Sequence, residues 1–220
     1  MSDPFDPALD PLRSIRGLDG VAALGGLYLL AAVTVPVVPL VAGVGYLLDV
    51  LDAAARNDDH PSLFGNVGRL ARRTVGGSLI AALYGGLPAA ILAMTLFGAS
   101  RLPGDAAQGT VTGLAITLGS TASLFLAMAI AYLLPAAWGL YADSGRLRDA
   151  VALGRLGPIT RAPAYFVWTV AGWTVLIAGL GLGDALSAFV VGFFVAGYAT
   201  VVAVGCWGRG LARTDAAPGG

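Results

Sequence analysis

Five long intervals without a charged side chain dominate this 220-residue chain. Asp19 and Asp49 enclose 29 such residues, Arg73 and Arg101 enclose 27, and Asp105 and Asp143 enclose 37. Arg161 and Asp184 enclose 22, and Asp184 and Arg209 enclose 24. A helix needs about 20 apolar residues to cross a hydrocarbon core of about 30 Å, and every interval is long enough.

Their content agrees with their length. "VAALGGLYLLAAVTVPVVPLVAGVGYLL" and "AYFVWTVAGWTVLIAGLGLG" show neither strict alternation nor a polar stripe. A helix apolar all round is buried in protein or lipid, and five in succession point to lipid. The apolar residues of the second interval, Val75 to Phe97, contribute roughly −3 to −5 kcal/mol to insertion. Barrel strands would be about ten residues long and alternating; that pattern is absent. Only 12% of residues are charged and mean hydropathy is +0.79, whereas a soluble domain carries about 25% charged residues.

The expected architecture is an all-α, polytopic transmembrane helix bundle of about five spans with short cytoplasmic interface helices. Residues 1–18 read as a polar N-terminal segment, 19–212 as a single transmembrane domain and 213–220 as a disordered tail. The spans fall near 21–48, 75–98, 111–141, 163–183 and 185–207, with interface helices near 49–56, 63–73 and 145–156. Pro36 and Pro39 kink the first span. The 37-residue interval reads as one long helix ending near Tyr141, with two tight spans as the alternative.

The charged set is narrow: every base is Arg and every acid is Asp. Without Lys, Schiff-base chemistry is excluded, and zero net charge supplies no global field for nucleic acid. Cys206 is the only cysteine, so there is no internal disulfide and no CxxC site. "MSDPFDPALDPLRSIRGLDG" is acidic and proline-rich, and the apolar run after it exceeds a signal-peptide core of about 7–15 residues.

Arg distribution sets the orientation. With five crossings, Arg56, Arg69, Arg72, Arg73, Arg146, Arg148, Arg155, Arg161, Arg209 and Arg213 share one side, against Arg13, Arg16 and Arg101. Positive residues stay cytoplasmic. The C-terminus is therefore expected in the cytoplasm and the N-terminus outside.

"GYLLDVLDAAARNDDHPSLFGNVGRLARR" (Gly45 to Arg73) is where apolar sequence first gathers charge. On a helical wheel Asp49, Asp52 and Arg56 share a face, expected to turn to water. Asp52 and Arg56 form an i,i+4 pair worth about 0.2–0.5 kcal/mol. "NDDHPS" breaks the helix, and Ser62 is a candidate N-cap for a headgroup-level helix. Arg69, Arg72 and Arg73 there, with Arg146 and Arg148 in the third loop, are candidate lipid-headgroup contacts, since a guanidinium binds phosphate with two hydrogen bonds. A metal site of Asp58, Asp59 and His60 with Asp49 or Asp52 is the competing reading. Three consecutive residues do not converge on one ion, and no second His, Cys or Glu completes a transition-metal set. No metal or other cofactor is expected.

Gly77, Ala81, Gly85, Ala89 and Ala93 recur every fourth residue, and Gly179 pairs with Gly183. Such ridges let membrane helices approach closely. No ionisable Asp, Arg or His lies inside a span, where a pump, transporter or intramembrane enzyme places one, and no Ser has a His or Lys partner in reach. Trp138, Trp168, Trp173 and Trp207, near span ends, fit interfacial anchoring.

Taken together, "GYLLDVLDAAARNDDHPSLFGNVGRL" running on to "SLIAALYGGLP" resembles the domain of unknown function 4013 family of uncharacterised archaeal and bacterial multi-span membrane proteins. Gly45, Tyr46, Pro61, Phe64, Leu70, Tyr84 and Pro88 carry the likeness. "LLPAAWGLYADSGRLRDAVALGRL" and "FVAGYATVVAVGCWGRGL" extend it. Gly65, Asn66 and Val67 depart from it, standing where the family has acidic residues and a Trp. The resemblance implies a membrane location and no activity. The expectation is thus a non-catalytic cell-membrane component whose partners are lipid, a second copy or another membrane protein. The alternative is a small transporter or channel subunit with a pathway lined by hydroxyls and by backbone at Pro36, Pro39, Pro88 and Pro135.

Overall fold

Uncharged, turn-poor intervals become helices because a backbone away from water must satisfy its own N–H and C=O groups. In a computed structural model the described residues are 15–33, 37–56, 67–100 and 110–214, and none of them lies in a strand. Eight helices follow in order: α1 (Ile15–Val33), α2 (Val37–Ala55), α3 (Val67–Ser100), α4 (Thr110–Ser144), α5 (Leu147–Ala150), α6 (Leu153–Arg161), α7 (Pro163–Ala185) and α8 (Val191–Ala212). Four stretches are long and apolar enough to cross a membrane, Gly68–Ile91, Leu118–Ser144, Pro163–Ala185 and Val191–Ala212. Val21–Leu30 is a shorter apolar helix. The fold is an all-helical bundle of about five spans.

The first interval departs from expectation. A single kinked span over 21–48 is replaced by two helices, α1 and α2, of 19 residues each. A Cβ on Gly43 would lie 3.2 Å from Leu24 and 3.6 Å from Leu27, so the two helices pack side by side. If they ran parallel in that contact, Val33 and Val37 would be about 20 Å apart. Residues 34–36 bridge at most about 15 Å. The pair is therefore an antiparallel hairpin. Pro39 falls in the first turn of α2, where its missing N–H leaves no helical bond unmade; Pro36 lies outside the described residues.

Elsewhere the boundaries move. Residues 67–73, expected in a separate interface helix, are the first turns of α3, continuous with the span that follows. The 37-residue interval holds one helix, α4. The third loop carries two short helices, α5 and α6. The last two spans part at 186–190 rather than at Asp184.

Helix α8 is the axis of the bundle: 67% of its span is buried, against 17% for α7. Small residues make this packing close. At Gly208 an added Cβ would lie 2.6 Å from both Leu51 O and Ala54 Cβ of α2, and at Gly183 it would lie 2.8 Å from Gly192 O of α8. The outer helices turn large apolar side chains outward, among them Val75, Leu79, Leu83 and Phe97 of α3, Leu124, Phe125 and Met128 of α4, and Val167 and Ile177 of α7. Apolar patches of this extent belong to a lipid-facing or partner-facing surface.

Gly208→Ala is expected to lower stability in detergent by about 1–3 kcal/mol, because the methyl group overpacks the α2–α8 contact. Gly205→Ala, three residues away with nothing within 4 Å of its added Cβ, should leave it unchanged or slightly raised. Thermal midpoints of the purified variants measure both; equal effects would contradict this packing.

Candidate functional site

Most charged residues of the described chain gather at one end of the bundle, Asp184 at the far end of α7 being an exception, and two of the gathered acids face inward. Asp49 and Asp52 stand one helical turn apart on α2. Opposite them, Arg73 comes off α3 with its side chain only 12% exposed. One terminal nitrogen of Arg73 donates to Asp49, and the other donates to Asp52 Oδ2 at 2.7 Å and to the Ala142 carbonyl of α4 at 2.9 Å. Asp52 Oδ1 accepts from Arg56 Nε at 2.8 Å, and Arg56 also approaches Asp143 at 3.8 Å. One guanidinium thus ties α2, α3 and α4 together. The planar fork makes this possible: its donors diverge in one plane, where an ammonium would be a point charge.

Two expectations are corrected here. The Asp49 face does not turn to water; Asp49 is 7% exposed. Arg73 is not a headgroup contact but the partner of both acids. The remaining headgroup candidates Arg69, Arg72, Arg146 and Arg148 are exposed. The Arg72 guanidinium lies over Gly145, whose φ of +66° ends α4 in the left-handed conformation that favours glycine. Asp58, Asp59 and His60 lie outside the described residues; among the described residues no group of three metal-ligating side chains forms.

A second set of contacts uses aromatic donors on backbone carbonyls of other helices. Trp138 Nε1 of α4 donates to Gly77 O of α3 at 3.1 Å, and Trp207 Nε1 of α8 to Thr169 O of α7 at 3.3 Å. Tyr141 hydroxyl donates to Arg72 O at 2.8 Å. The connection between α4 and α7 is held at both ends, by Tyr84 hydroxyl on Ala150 O at 2.7 Å and Tyr132 hydroxyl on Thr160 O at 2.6 Å. Trp138 and Trp207 are 7% and 3% exposed, so they are interior cross-links and not interfacial anchors. Trp168 instead sits under Arg213, whose guanidinium carbon is 4.6 Å from the ring centroid.

Further links of this kind surround Pro135, one of the positions considered for a pathway. Proline has no N–H, so the carbonyl four residues back, Ala131 O, loses its helical donor. Trp173 Nε1 of α7 supplies one at 3.1 Å. At the next rung Tyr165 hydroxyl reaches both backbone partners, accepting from Ala136 N at 3.1 Å and donating to Tyr132 O at 2.7 Å. Tyr165 is fully buried. The groups freed at Pro135 are therefore occupied by protein.

The expected packing ridge on α3 divides in two. Gly77 packs against Val44 and Leu48 of α2 and Ala81 against the core, whereas Gly85 and Ala89 are exposed, with nothing within 4 Å of an added Cβ at Gly85. Gly76, outside that ridge, is the position that admits the Tyr141 ring. In the connection after α4, the Asp149 carboxyl is held below the ordinary carboxylate range by the Ser144 hydroxyl and by the Arg155 and Arg148 guanidiniums. Arg155 pairs with Asp149 at 3.0 Å.

These features define an α-helical membrane protein whose interior is cross-linked by side chains and most of whose described charges gather at one end. The family model described as "Protein of unknown function (DUF4013)" matches residues 28–204, and the chain belongs to that family. Comparison with curated proteins and with solved structures finds no match.

Replacing Arg73 by Met should be the most damaging change at this end, costing about 3 kcal/mol or more, because Asp49 is left buried without its counter-charge. Arg56→Gln, at a side chain half exposed, should cost under about 1 kcal/mol. Tyr165→Phe removes two buried hydrogen bonds, from Ala136 N–H and to Tyr132 C=O, and should cost about 1–3 kcal/mol. Unfolding in detergent, followed by thermal midpoint, ranks the three; a Tyr165→Phe variant as stable as the parent would deny the hydroxyl its place in α4.

Proposed function

We propose that this protein is a multi-pass, non-catalytic component of the cell membrane, with its Arg-bearing end on the cytoplasmic side facing lipid or another membrane protein. One observation carries the reading: the α1–α2 hairpin. Because α2 ends at the Asp49–Arg73 junction, α1 begins at that same end. Six helices then traverse the bundle, and both termini share the side that carries the charges.

The Arg count sharpens accordingly. Arg13 and Arg16 join the ten already on that side, leaving Arg101 alone on the other. Positive residues concentrate on the cytoplasmic side of membrane proteins, so this end is the inner one. The N-terminus moves from outside to inside relative to a five-crossing chain. The non-catalytic reading is supported by how the polar groups are used. The acids of Asp49, Asp52 and Asp149 are paired with arginines, and the hydroxyls of Tyr84, Tyr132, Tyr141 and Tyr165 are spent on backbone carbonyls.

Reporter fusions decide the sidedness. Fusions at the N-terminus and after Ala212 should report cytoplasm, and a fusion after Asp105 should report the outside. An N-terminal reporter found outside would restore five crossings and remove the hairpin from the membrane.

A further inference from the structure

The connection between α4 and α7 has an inner face that is fully used and an outer face that is not. Beneath it, Ala150, Leu156 and Ile159 are buried in the bundle core, and the Ala150 and Thr160 carbonyls are held by Tyr84 and Tyr132. On the outside, Leu147, Val151 and Leu153 are 44%, 46% and 76% exposed. Arg146, Arg148 and Arg155 project among them, and Arg148 and Arg155 share the single acid Asp149. At its far end the connection joins α7, where exposed Phe166 lies tilted against Tyr132 at 6.1 Å between ring centroids. The platform thus runs directly into an outward apolar helix face.

The geometry points to this platform as a docking surface for anionic lipid headgroups, with Leu147, Val151 and Leu153 entering the acyl boundary and Arg146, Arg148 and Arg155 holding phosphate. This rests on the membrane reading proposed above and adds the partner's chemistry and the residues that meet it. The combination of features selects the occupant. A polar ligand would leave three large aliphatic side chains in water, and a neutral apolar partner would desolvate an excess of guanidiniums. A phosphate-bearing lipid satisfies both, through charge-assisted, two-pronged hydrogen bonds above and apolar contact below. The surface is also pre-organised. Tyrosine clamps at both ends mean that little chain entropy is lost when lipid binds.

Lipid-specific quenching tests this on the full-length protein. Cys206 is buried, so Val151→Cys is selectively labelled with an environment-sensitive fluorophore, and Leu147→Cys serves as a second reporter. The labelled protein is reconstituted in equal mixtures of phosphatidylglycerol and phosphatidylcholine in which one or the other is brominated. Both reporters should be quenched, with phosphatidylglycerol favoured at least about fivefold. That preference should fall toward one when Arg146, Arg148 and Arg155 are replaced by Gln, and inorganic phosphate should not displace it. Absence of quenching, equal quenching by the two lipids, an unchanged preference in the triple variant, or displacement by phosphate would each overturn the proposal. If the reporter fusions reverse while the selective quenching persists, the sidedness fails and the docking surface stands.

Discussion

A backbone polar group inside this bundle has no water to turn to, and α4 would carry two such problems at Pro135 without its neighbours. The proline removes the donor for Ala131 O, and at the next rung Ala136 N–H and Tyr132 O both turn to a side chain. Helix α7 answers with Trp173 and Tyr165, one residue for each defect. An unsatisfied group in hydrocarbon costs several kcal/mol, so the kink is tolerable only with α7 in this register. That register then positions much else. It sets Thr169 O under Trp207 of α8, brings Trp173 and Trp207 to 5.0 Å, and places Tyr132 to hold the end of α6.

The charged end obeys the same rule, and a violation there would cost more. Bringing Asp49, Asp52 and Arg73 together from helices 20 or more residues apart is worthwhile only if each charge finds its opposite, since burying an unpaired ion costs several kcal/mol. The arrangement is close to complete: four donor contacts from Arg73 and Arg56 fall on the two carboxylates and one carbonyl. An apolar substitute of matching shape would hold α2, α3 and α4 together equally well. What it would lack is the directional demand that α2 and α3 meet at one register only, which the slippery, glycine-rich contacts at Gly45 and Gly77 do not impose.

Much of this was legible in the residues. Charge-free intervals and their lengths located the helical segments, the family resemblance read from Gly45 onward falls within the residues 28–204 that the family model matches, and the concentration of Arg foretold a charged end. The rest was hidden for identifiable reasons. A helical wheel assigns Asp49 a face but not a neighbour; that neighbour is 24 residues away on another helix. Trp138 and Trp207 sit near span ends in the sequence, so they read as interfacial, and only packing reveals that Gly77 O and Thr169 O lie within their reach. A proline in mid-span flags a freed carbonyl, yet nothing local says that the donor will be Trp173.

The first interval shows how one such gap propagates. Two prolines in 29 uncharged residues fit either a kinked crossing or a turn between two shorter helices, and composition favours the crossing because each half looks too short alone. Each half reaches 19 residues because helix continues into the polar flanks: α2 runs on through Asp49 and Asp52, whose charges are neutralised by Arg73 rather than by water. The ion pair at one end thus makes the hairpin at the other feasible. Once the hairpin is granted, α1 begins at the end of the bundle where α2 finishes.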